Sequence, residues 1–226
     1  MLRVVARVIG DSVLVALLLF SAAHTLAWPR AWILLVAMLG IRLAGALAVY
    51  RAHPALMRER AALPIHDAQP VHDRVLVLAI LATGFLGLPA LAGLDVFHWR
   101  LLPPPAPLLA DAGLLLFVLG WSLKSLALYA NAFAIPVIRP QAERAQTVVD
   151  SGPYAVVRHP FYAADPLIFI GLSFWLESSA AALGALVPLA LMMRRVQLEE
   201  HFLLATLPGY SAYARRVRFR LVPGVW

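Results

Sequence analysis

Gly152-Pro153-Tyr154-Ala155-Val156-Val157-Arg158-His159-Pro160-Phe161-Tyr162 marks the point where a polar loop turns into membrane-length apolar sequence. The residue before a proline is driven to extended geometry, and proline itself suits the first position of a helix. Pro160 therefore starts a helix, with His159 near its N-cap and Arg158 just outside. Backbone N–H groups and the positive end of that helix are then offered to an anionic group. Beyond Pro160 the chain reads as a tight apolar pair, Phe161–Leu176 and Ser179–Arg195, ending on Arg195-Val196-Gln197-Leu198-Glu199-Glu200. Polar side chains at the water-facing ends of such helices can meet a polar ligand while a hydrophobic one arrives from the lipid.

The rest of the chain supports the bilayer as its solvent. Of 226 residues, 62% are hydrophobic and only 14% are charged, and the mean hydropathy is +0.80. A soluble domain of this size exposes far more charge. There is no cysteine, which excludes disulfides and thiolate–metal sites. The sequence pI of about 10.5 does not point to nucleic acid, because the arginines lie between apolar runs and form no stripe with interleaved aromatics. An anionic membrane surface is the better partner. The start, Arg3 and Arg7 before Val13–Phe20, mimics a signal peptide, but further spans come directly after it and a retained first helix is the reading adopted.

Apolar runs long enough for a hydrocarbon core of about 30 Å occur at Val8–Ala27, Ala31–Tyr50, Val75–Leu94 and Leu108–Ala130. Because Phe161–Leu176 alone barely spans, five and six spans both remain open. With six, fifteen arginines fall on one side and two, Arg30 and Arg100, on the other, while Arg42 and Lys124 lie inside spans. The positive-inside rule then puts both termini, the Arg51–Arg74 loop and the Asn131–His159 loop in the cytoplasm. The expected architecture is an all-α integral membrane bundle forming one domain, with N-terminal membrane helices over 1–107 and a site-bearing half over 108–226. Pro103-Pro104-Pro105 with Pro107 is a stiff extracytoplasmic turn. Pro208-Gly209 breaks the last helix before a basic, aromatic tail expected on the membrane surface.

Adjacent Glu199 and Glu200 repel each other, and Arg195 lies one turn before Glu199. The surplus negative charge suits a ligand with an ammonium or sulfonium; solvated charges on a helix extension are the competing reading. His201 with these glutamates lacks a metalloprotease spacing, so no metal is expected, and no phosphate-binding glycine loop or serine elbow occurs. Asp165, an acid inside a membrane helix, is a functional candidate by default, although so close to Pro160 a structural carboxylate is preferred. Lys124 and Asp111 read as snorkelling or helix-end charges.

Taken together, Gly-x-Tyr-(x)3-Arg-His-Pro-x-Tyr, an apolar hairpin, Arg-(x)3-Glu-Glu, and a tail with Tyr210, Tyr213 and Val217 resemble the isoprenylcysteine carboxyl methyltransferase family, within a broader group that includes the phospholipid N-methyltransferases. Asn131-Ala132-Phe133, Val137-Ile138-Arg139-Pro140-Gln141 and His72-Asp73-Arg74 also look like bacterial members. The resemblance is strongest from Ala130 onward. It implies S-adenosylmethionine held at the cytoplasmic face by Gln141, Gln146, Thr147, Val148, Val149, Tyr154, His159, Pro160, Phe161, Tyr162, Glu199 and Glu200. Glu199 matches the acid on the methionine end, and Arg195 the arginine facing the substrate carboxylate. Gln146 stands where histidine is usual, and Ala164 where glycine often is. The implied reaction is methyl transfer to a lipophilic acceptor drawn from the bilayer of a bacterial inner membrane. A carboxylate acceptor is preferred because it needs no base, and phosphatidylethanolamine N-methylation is the alternative. Of other classes, a membrane sterol-type reductase using NADPH would need a nicotinamide site, for which no fingerprint appears, and a non-catalytic scaffold remains.

Overall fold

A computed structural model describes residues 1–62, 69–139, 141 and 144–226; Pro140, and residues 63–68 of the Arg51–Arg74 loop, lie outside the described residues. No strand occurs among the described residues. The helices are α1 (Leu2–Ala23), α2 (Pro29–Ala52), α3 (Pro54–Arg60), α4 (Val71–Trp99), α5 (Pro107–Ala130), α6 (Pro160–Ala163), α7 (Asp165–Trp175), α8 (Ser179–Thr206) and α9 (Tyr210–Arg216). Proline in the first turn opens α2, α3, α5 and α6, where a missing N–H costs no helical bond.

Among the described residues five helices, α1, α2, α4, α5 and α8, are long and apolar enough to cross a membrane. The first begins earlier than its apolar run suggests, at Leu2 rather than Val8. The last continues to Thr206 instead of stopping at Arg195, so Arg195, Glu199 and Glu200 share one helix. Pro188, which cannot donate to Gly184, coincides with a joint in α8 at Ala185. The expected span Phe161–Leu176 is α6 plus α7, interrupted at Ala164. At 1.5 Å per residue the pair covers only about 24 Å.

This short arm is held by contact between backbones. A Cβ on Gly113 would lie 2.4 Å from the amide nitrogen of Trp175, one on Gly171 2.6 Å from that of Phe117, and one on Gly120 2.7 Å from Ile168. These glycines let α5 and α7 touch along their length, the usual device where lipid removes the hydrophobic drive between helices. Around the seam sits the main core, with Leu19, Leu34, Leu88, Phe117, Trp175 and Leu176.

Polar networks define the two ends. At one end Arg30 reaches Asp111 (2.8 Å) and Glu177 (3.2 Å), and Ser178 donates to Asp95 (2.6 Å). The hairpin tip therefore lies with the α1–α2 and α4–α5 turns. The opposite end gathers the segment after α2, the 131–159 loop and the tail: Arg60 donates to the carbonyl of Ala134 (2.7 Å), and Arg139 pairs with Glu59 (2.7 Å). The chain thus passes between the ends six times, five of them on long helices. The arginine-rich loops and the arginine-poor turns fall at opposite ends, as the six-pass count requires.

Candidate active site

Arg195 is the hub of the arginine-rich end. Its Nε donates to Asp73 (2.9 Å), one Nη to the hydroxyl of Tyr162 (2.7 Å) and the other to the carbonyl of Pro136 (2.7 Å). Tyr162 in turn donates to Glu199 (2.6 Å). Arg195 and Glu199, one turn apart on α8, thus meet through Tyr162 of α6 rather than by pairing with each other. Asp73 is fully buried (0% exposed) and also accepts from Gln69 (2.7 Å) and from the backbone of Ile138 (3.2 Å). It ties α4, α8 and the 131–159 loop together. A guanidinium and carboxylate so far from water are tolerable because their hydrogen bonds are shared out in full geometry.

Glu200 points elsewhere. It is buried between Arg158 (2.5 Å) and Arg220, and Arg158 also donates to the carbonyls of Val217 (2.8 Å) and Arg218 (2.7 Å). The amides of Arg158 and His159 bond to the carbonyls of Phe219 (2.9 Å) and Arg220 (2.9 Å). The expected open helix start at Pro160 is therefore occupied by the chain's own tail, and Arg158 is an internal strut. The tail itself is folded in: Tyr210, Tyr213, Val217 and Leu221 are buried, and Tyr213 donates to the carbonyl of Tyr154 (2.8 Å). The tail's aromatic side thus packs against the box, while Arg215, Arg216 and Arg218 stay exposed.

A cavity of about 450 Å³ runs from this end into the membrane half. Of the residues singled out by sequence, Gln141, Gln146, Thr147, Val148, Val149, Tyr154, His159, Phe161, Tyr162, Arg195 and Glu199 line it, whereas Pro160 and Glu200 do not. Gln141 is spent within the loop: it donates to Phe133 (2.9 Å) and accepts from Arg144 (2.9 Å). The ring nitrogen Nε2 of His159 and the hydroxyl of Tyr210 are buried with no hydrogen-bond partner among the described residues. Burial lowers the basicity of His159, against the pull of Glu199 and Glu200, so the ring is neutral at pH 7. Burial also raises Tyr154 and Tyr210, and moves Tyr213 up to about 12; all three stay protonated.

Sequence reasoning passed over Asp73 as a site residue, although its place two residues before the apolar run Val75–Leu94, within His72-Asp73-Arg74, was the available signal. It also passed over Arg60 and Asn131, which line the cavity from a short helix and a loop. Lys124 does not snorkel: it turns inward onto Asp165 (2.6 Å), which makes Asp165 a paired carboxylate. Asp111 is the helix-end charge it was read to be. Among the described residues no group of three His, Cys, Asp or Glu is placed to hold a metal ion.

Comparison with known proteins places this geometry. The fold resembles that of a eukaryotic intramembrane Ras methyltransferase, isoprenylcysteine carboxyl methyltransferase, with a TM-score of 0.56 and 21% identity over 93% of this chain and 74% of that one. The class is thus an all-α integral membrane bundle of that fold. Within it, residues 109–207, which include Arg195 and the His159-Pro160 box, match the phospholipid methyltransferase family model. The cobalt-zinc-cadmium resistance protein CzcN of Cupriavidus metallidurans is 35% identical over 103 residues, 45% of this chain and 47% of that protein. The match spans about half the length of this curated relative. The resemblance drawn from the motifs is borne out by the family segment and the fold.

Proposed function

We propose that the chain is an S-adenosylmethionine-dependent membrane methyltransferase whose acceptor is a lipophilic molecule taken from the bilayer, with a carboxylate as the preferred acceptor. The observation that carries this reading is the single cavity joining two unlike environments. One part is polar, with Glu199, Gln146, Thr147 and the unpartnered atoms of His159 and Tyr210. The other is walled by Val15, Met38, Phe117, Ile168 and Leu172. A half-buried carboxylate beside unpaired donors and acceptors suits an amino-acid ammonium and a nucleoside; apolar walls suit a lipid chain.

S-adenosylmethionine supplies a methyl group on a positively charged sulfur. Glu199 holds the ammonium end, and Tyr162, Arg195 and Asp73 keep that carboxylate in one orientation. Neutral His159 adds a hydrogen-bonding nitrogen without a positive charge that would repel the sulfonium. The folded tail, through Tyr210 and Tyr213, excludes water and so favours in-line alignment of acceptor and methyl group. A carboxylate acceptor arrives ionised. This matters because Glu200, neutralised by Arg158 and Arg220, is in no position to act as a base. Arg195 keeps one N–H on each terminal nitrogen for such a carboxylate. The family model favours a second reading, N-methylation of a phospholipid amine, in which His159 takes the proton. The arginine asymmetry supports a bacterial inner membrane location with this site on the cytoplasmic face.

Binding to purified protein tests the proposal. S-adenosylmethionine should bind and NADPH should not. Glu199→Gln removes a charge-assisted contact worth about 1.5–3 kcal/mol, so affinity should fall roughly ten- to a hundredfold. NADPH binding without S-adenosylmethionine binding would replace this reading with the reductase one.

A further inference from the structure

The membrane half of the cavity carries more positive charge than its own acids neutralise. Asp11 of α1 serves two guanidiniums, Arg7 (2.9 Å) and Arg42 of α2 (2.5 Å). Lys124 of α5 has Asp165 to itself (2.6 Å). All five side chains line the cavity, three cations against two acids, among apolar walls. Arg60 adds a further cation at the mouth, bonded to a backbone carbonyl and stacked 4.5 Å from the centre of the Phe161 ring. Lys124 lies 4.1 Å from the centre of the same ring. Arg7 keeps 37% of its side chain exposed, whereas Arg42 and Lys124 are nearly buried, so an anion between those two would meet charges that water screens little.

Two donors show where the anion fits. One Nη of Arg42 and the indole Nε1 of Trp121 are buried and have no hydrogen-bond partner among the described residues. They are neighbours: the Arg42 guanidinium sits 4.8 Å over the Trp121 ring, and the Lys124 ammonium 5.8 Å from it. Buried donors are seldom left unpaired, and here two lie side by side next to the Lys124 ammonium. Arg42 lies ten residues from the end of α2, about 15 Å along the helix, too deep for its charge to be explained by surface lipid headgroups.

We propose that Arg42, Trp121 and Lys124 form an anion-binding subsite that takes the anionic head, carboxylate or phosphate, of a lipophilic molecule whose chain fills the apolar chamber. Its role in choosing the methyl acceptor rests on the methyltransferase reading above; the subsite itself does not. It is separate from Arg195, which meets Asp73, Tyr162 and Pro136 and keeps its remaining terminal N–H groups for the reacting carboxylate. The enzyme therefore selects negatively charged lipophiles over neutral ones of the same length.

The test measures binding of dodecyl phosphate, dodecanoate and dodecanol to the full chain in a non-ionic detergent. At least one of the two anions should bind about tenfold or more tightly than the alcohol, and whichever does identifies the headgroup chemistry. Arg42→Met leaves Asp11 paired with Arg7 and should cost the anion tenfold or more, while Trp121→Phe keeps the ring and should cost several-fold. Dodecanol binding should not change. Equal affinity for anion and alcohol in the unmodified protein, or unchanged anion affinity in folded Trp121→Phe, overturns the subsite; if Arg42→Met does not fold, Trp121→Phe decides. S-adenosylmethionine affinity, measured on the same samples, should be unaltered. Anion binding without any S-adenosylmethionine binding would keep the subsite and sink the methyltransferase reading alone.

Discussion

His159 joins the two halves of the site, with its backbone amide clamped to the tail and its unpartnered ring nitrogen on the cavity. Burial holds its basicity below the usual value, and this has a consequence for folding. The unfolded chain takes up a proton on this ring near pH 6.5, whereas the native protein resists until lower pH. The contribution of His159 is therefore complete above about pH 6.5 and is lost as pH falls toward the native value, with a slope of at most about 1.4 kcal/mol per pH unit. Unfolding of the wild type and of His159→Gln, monitored from pH 7.5 to 5, should show the wild type losing stability faster. Parallel profiles would mean that His159 titrates as an exposed ring. Glu200 illustrates a different point at this scale. Its neighbour Glu199 has the same side chain, yet one faces the cavity and the other closes a three-way ion pair with Arg158 and Arg220. Adjacent helix positions point about 100° apart, and only the surrounding arginines reveal which carboxylate is which.

The α6–α7 arm is too short to cross by length and is placed by its contact with α5. Gly171 is the tightest test of that statement, since an added Cβ would meet the Phe117 nitrogen at 2.6 Å and the Gly113 carbonyl oxygen at 2.7 Å. Neither is a flexible side chain that can move aside. Gly171→Ala should lower stability by about 1–3 kcal/mol, read as a fall in the thermal midpoint of detergent-solubilised protein. Gly10→Ala, with nothing within 4 Å of the new carbon, is the control, and should be neutral or raise the midpoint slightly. Equal behaviour of the two variants would show that the α5–α7 seam is loose. The start of the arm at Pro160 was legible from proline alone. Its interruption at Ala164 also had a local signal, missed in reading the spans: Pro166 has no N–H to donate to Tyr162.

Across the whole molecule, six passes place the arginine-rich loops at one end and the Arg30–Asp111–Glu177 network at the other. By the positive-inside rule we propose that the arginine-rich end is the cytoplasmic one. Reporters fused after Trp226 and in the Arg51–Arg74 loop should read cytoplasmic, and one near Pro104 external. A cytoplasmic signal at Pro104 would invert the arrangement and put the cavity mouth on the opposite face. The cavity belongs to this scale too: α1, α2, α4, α5, α7 and α8 all line it, and no one segment holds enough of it to be read as a site.

The sequence by itself determined the solvent, the approximate spans and the neighbourhood of the candidate site. Long apolar runs, proline at helix starts and the order of Arg158, His159, Arg195 and Glu199 are local signals, and physics acts on them locally. What only the tertiary structure decided is who pairs with whom. Asp73 finds Arg195 across 122 positions of sequence, Lys124 turns to Asp165, and Arg42 shares Asp11 with Arg7. In a low-dielectric interior each buried charge is settled by the nearest opposite charge in space, and that distance is set by the packing of whole helices. The tail shows the same limit: its basic, aromatic composition suited a membrane surface equally well, and burial against the His159-Pro160 turn is what the assembled bundle made available.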